Sequence, residues 1–70
     1  MARTAETKLD QAARHVAEGK RIVARQRALI ARRKEGGHDT TFAEDLLAQF
    51  ERTLAVFEDD LLAIRKENSN

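Results

Sequence analysis

From Leu9 onward a seam residue recurs at alternating spacings of three and four: Leu9, Ala12, Val16, Gly19, Val23, Gln26 and Ile30. This spacing predicts an amphipathic helix over about residues 5–34, with Leu9, Val16, Val23 and Ile30 at heptad position a and Ala12, Gly19 and Gln26 at d. His15, Ile22 and Leu29 fall beside that seam at g, so the stripe is three positions wide per heptad, as a multi-helix bundle needs. A second series, Ala43, Leu47, Phe50, Leu54, Phe57, Leu61 and Ile64, predicts a second helix over about residues 41–66 with a bulkier seam. Residues 35–40 lie between the two and read as a short turn. Gly36 and Gly37 suit a left-handed helix end, and Arg32, Arg33 and Lys34 sit favourably at its negative pole. Thr41 with Glu44 is the expected capping box of the second helix, with Asp39 or Thr40 as earlier starts; Thr4 or Thr7 is expected to cap the first. Residues from about Glu67 onward are expected to fray.

If the chain folds back at the turn, the e edges of the helices run side by side. Lys34 then faces Glu44, Arg27 faces Glu51, and Lys20 faces Glu58. One fold-back point serves all three pairs, and the g edges agree, with Leu29 opposite Leu46, Ile22 opposite Thr53 and His15 opposite Asp60. Sign, shape and register therefore point to one structure, an all-α antiparallel two-helix hairpin forming a single domain over residues 1–70. The same register is expected to set Phe57 beside Gly19, whose missing side chain would leave a notch for the ring. Gln26 is read as a polar core residue that fixes register.

Composition sharpens this in two ways. Seventy residues bury little apolar surface, and a chain with no Cys has no disulfide to compensate, so association is expected. Ile22, Leu29, Phe42, Leu46 and Val56 gather on one flank, which is the expected interface of a homodimeric four-helix bundle. Net charge is +1, but it conceals an asymmetry: residues 1–34 hold ten Lys or Arg against Glu6, Asp10 and Glu18, while residues 42–70 hold three against seven acids. Apolar runs are far short of the ~20 residues of a membrane span, and the N-terminal residues lack a secretory pattern. A cytoplasmic protein is expected.

The stretch Gly37-His38-Asp39-Thr40, followed by Ala43, Leu46-Leu47 and Phe50-Glu51, resembles a pattern found in short bacterial helical-hairpin proteins of unassigned role. In architecture the chain also resembles the Rop-type dimeric bundles, which bind paired RNA loops through their first helices. The first likeness concerns a helix start and the second a fold; neither implies a chemical site.

The expected role is a non-enzymatic structural or protein-interaction module, with itself as the first partner and another protein as a further one. The alternative is an RNA- or DNA-binding regulator that uses Arg14, Arg21, Arg25 and Arg32 on the outer face of the first helix. That reading is less favoured: all three Phe lie in the second half, no Tyr or Trp offers a stacking platform, and a charged helix face is ordinarily just solvated. No catalytic residue, cofactor, metal or membrane partner is expected. The only Ser is Ser69, no nucleophile–base pair can be assembled, and the two His lack carboxylate companions at metal-binding spacing. His15 with Asp60 reads as a structural pair, and His38 with Asp39 as turn chemistry.

Overall fold

The computed structural model describes residues 6–69. It is a helical hairpin: α1 spans Lys8–Glu35, α2 spans Thr41–Asn68, and they pack against each other along their length. α1 opens on a capping box at Thr7, whose hydroxyl accepts from the Asp10 amide at 3.0 Å while the Asp10 carboxylate accepts from the Thr7 amide at 3.4 Å. Thr4 lies outside the described residues. At the other end the His38 amide donates to the Arg33 carbonyl and the Gly37 amide to the Lys34 carbonyl, both at 3.0 Å. Those two bonds are a Schellman cap, and it requires a left-handed residue at Gly37 (φ 79°) alone; Gly36, at φ −81°, does not use its conformational freedom.

The start of α2 differs from expectation. Thr40 is the N-cap but makes no side-chain capping bond, and Thr41 is already the first helical residue, so the Thr41–Glu44 box does not form. Asp39 supplies the missing acceptor: its Oδ1 takes both the Thr41 amide at 3.0 Å and the Thr41 hydroxyl at 2.8 Å. Those donors also hold the Asp39 carboxyl below its ordinary pKa. The C-terminus is likewise longer than expected. α2 runs to Asn68, and the Ser69 hydroxyl donates to the Arg65 carbonyl at 2.8 Å.

The seam is the core. Ala12, Val16, Val23, Ile30 and Leu61 are buried, and Leu9, Leu54, Phe57 and Ile64 pack against the cluster of Ala12, Val16 and Leu61. One packing expectation is overturned. A side chain added at Gly19 would meet Leu54 Cδ1 at 3.0 Å, so the notch admits Leu54 and not Phe57. In antiparallel packing an a residue sits level with a d residue across the seam. Gly19 is thus level with Leu54, and Phe57 lies one layer further from the turn, with Val16.

A hairpin alone does not enclose this core. Its radius of gyration is 16.3 Å, against about 11 Å for a compact chain of this length. Its smallest dimension is 14 Å, barely more than one helix diameter of about 10–12 Å. Among the described residues no side chain falls below 2 % exposure.

Candidate interaction surface

The two long edges of the hairpin are built differently. On the e edge Lys34 Nζ lies 2.6 Å from Glu44 and the Arg27 guanidinium 2.5 Å from Glu51, as the register predicts. The third expected pair does not form. Lys20 and Glu58 are both exposed and line one shallow groove with Leu62 and Arg65, without an ion pair. Two solvated charges gain little from meeting, so nothing compels that contact.

The g edge carries no ion pair among the described residues. Ile22 is 43 % exposed, Phe42 78 % and Val56 57 %, while Leu29 and Leu46 are half-buried. Leu29, Phe42 and Leu46 line a 180 Å³ recess with Ile30 and Ala43 beneath them, at the turn end of the edge. At the open end a second recess, of 320 Å³, is walled by Lys8, His15, Phe57 and Asp60. His15 and Asp60 share that wall without bonding to each other; the imidazole instead lies on Phe57, ring centroids 5.2 Å apart and tilted by 35°. The aromatic contact, invisible in a charge-pairing argument, crosses between the helices: Phe57 at d of α2 lies level with Val16 of α1, and His15 stands next to Val16 at g. Leu62, 60 % exposed, was likewise hidden, as the second member of a Leu-Leu doublet whose first member is buried.

The basic face is less uniform than its spacing predicts. Arg14 is held at both ends: Glu6 accepts from its Nε and Nη2 at 2.9 and 2.8 Å, and Glu18 from Nη1 at 3.3 Å. The bidentate bond from Arg14 lowers the Glu6 pKa and raises that of Arg14 itself. Arg21, Arg25 and Arg32 are exposed and make no ion pair among the described residues. These three cations run from the middle of α1 toward the turn.

No cluster of three or more His, Cys, Asp or Glu within reach of one metal ion occurs among the described residues. No helix there is long and apolar enough to cross a membrane. No family model, no curated protein and no solved structure matches the chain. The likeness to bacterial hairpin proteins therefore rests only on the residues quoted for it.

Proposed function

We propose that the chain is a small cytoplasmic protein-interaction module that works as a homodimeric four-helix bundle. The observation that carries this reading is the g edge. Ile22, Phe42 and Val56 stand exposed there, and two recesses on the same edge reach seam residues, Ile30 in one and Ala12 and Ile64 in the other. Covering that edge with a second hairpin would complete the core that one hairpin leaves open. Sedimentation equilibrium at micromolar concentration tests it. A mass twice that of the 7.9 kDa chain is expected, reverting to the single mass in a Leu29→Glu, Phe42→Glu variant that stays helical. A single-chain mass for the unaltered protein refutes the reading.

A second reading is supported by Arg21, Arg25 and Arg32, three exposed guanidinium groups with no acidic partner among the described residues. They would meet the phosphates of RNA or DNA. A gel shift at low salt that is lost on Arg21→Glu with Arg25→Glu supports nucleic-acid binding; no shift, or one that survives the change, removes it.

A further inference from the structure

We infer that the two copies meet with their turns at the same end, α1 of each lying over α2 of the other. The inference rests on the homodimeric reading above and adds the geometry which that reading leaves open. A two-fold stack of hairpins has two solutions. An axis parallel to the helices sets unlike helices over each other with the turns together; an axis across them sets like helices over each other with the turns apart.

The g edge is polarised along its length, and this decides between them. Its turn half is mainly apolar and holds no carboxylate, with Leu29, Phe42 and Leu46 around one recess that Gln26 and Arg33 also line, and Ile22 next along α1. Its open half carries the titratable groups, Lys8, His15 and Asp60, around a second recess floored by Ala12, Phe57 and Ile64. With the turns together, residues at equal height meet: Leu29 covers the partner's Leu46, Ile22 covers the partner's Thr53, and His15 reaches the partner's Asp60. With the turns apart, Leu46 would cover the partner's Asp60 and strip water from a carboxylate that gains no new partner.

Helix charge points the same way. α1 holds nine basic residues against Asp10, Glu18 and Glu35, whereas α2 holds three against seven acids. Stacking unlike helices places positive over negative at both contacts; stacking like helices repeats the sign at both. The like-helix arrangement offers one compensation, Glu18 beside the partner's Arg25, but Glu18 is already engaged by Arg14 at 3.3 Å.

The absence of native Cys makes the geometry directly measurable. His38→Cys, in the exposed turn, carries a nitroxide label for pulsed dipolar spectroscopy. The turns-together dimer predicts a separation well under half of the 51 Å long dimension, and the turns-apart dimer one near 51 Å. Oxidative cross-linking gives a second readout: Ile22→Cys mixed with Thr53→Cys should cross-link while neither does so alone. A dimeric mass with a long separation, or with Ile22→Cys cross-linking to itself, overturns this geometry and leaves the dimer standing. A dimeric mass with no cross-link in either case shows that another edge mediates contact and also overturns it. A single-chain mass removes the dimer itself, and the geometry with it.

Discussion

The two edges of the hairpin sit on the same seam and differ in what finishes them. Over its turn half the e edge is closed by charge, Arg27 to Glu51 and Lys34 to Glu44, within one chain. At its open end Lys20 and Glu58 stay unpaired with each other over a shallow groove. The g edge is left apolar and open, with Ile22, Phe42 and Val56 exposed. Exposed ion pairs hold little free energy but penalise wrong registers, so the e edge selects which way the chain folds back. Exposed apolar groups have no register preference of their own but lose free energy to water. Pairing is specified on one edge, and the demand for further burial is expressed on the other.

The comparison can be broken at four levels. Leu61→Ala removes the seam beneath both edges and should cost the most, about 2–3 kcal/mol in urea unfolding, with loss of helical circular dichroism at moderate temperature. Gly19→Leu strikes the seam differently, because Leu54 Cδ1 already fills the space a side chain would need. Overpacking there should cost about 1–3 kcal/mol, whereas Gly19→Ala should be near neutral, its gain of about 1 kcal/mol in helix propensity offset by the close Leu54 contact. Glu51→Gln on the e edge should cost below about 1 kcal/mol and its effect should fade in high salt; a larger loss would mean the edge holds the fold instead of selecting it. Acid is the mildest probe. Asp39 and Glu6 have carboxyl pKa values lowered by their partners in the folded state. Their contribution is therefore present above the ordinary carboxylate pKa and lost as pH falls through the lowered one. A small decrease in melting temperature on acidification, reduced in Asp39→Asn, is expected from thermal melts.

The fold was legible because three independent signals agreed. Seam periodicity marked the helices, Gly36-Gly37 marked the break, and the e-edge charges marked the pairing. What escaped was the detail that depends on side-chain reach. Phe57 and Leu54 are both large, apolar and near Gly19 in a helical net, and only the seam layering places Leu54 in the notch. Thr41 and Glu44 have capping-box spacing, but Asp39, two residues before Thr41, wins because its carboxylate accepts two bonds at once. Arg14 matches the spacing of its neighbours along the basic face, yet Glu6, eight residues back and outside α1, reaches it. Position on the wheel was readable; competition between acceptors was not.

The cluster of Ala12, Val16 and Leu61 lies at the end of the hairpin remote from the turn. Its members are therefore brought together only when nearly the whole chain has closed, whereas the Schellman cap joins residues that are sequence neighbours. Local contacts carry the smaller closure entropy, so closure should begin at Gly37 and travel outward like a zip. Stopped-flow measurements on Leu61→Ala would then show faster unfolding with little change in refolding rate, the mark of a contact made last. A substitution at Gly37 is expected to slow closing, and one at Leu61 to speed opening.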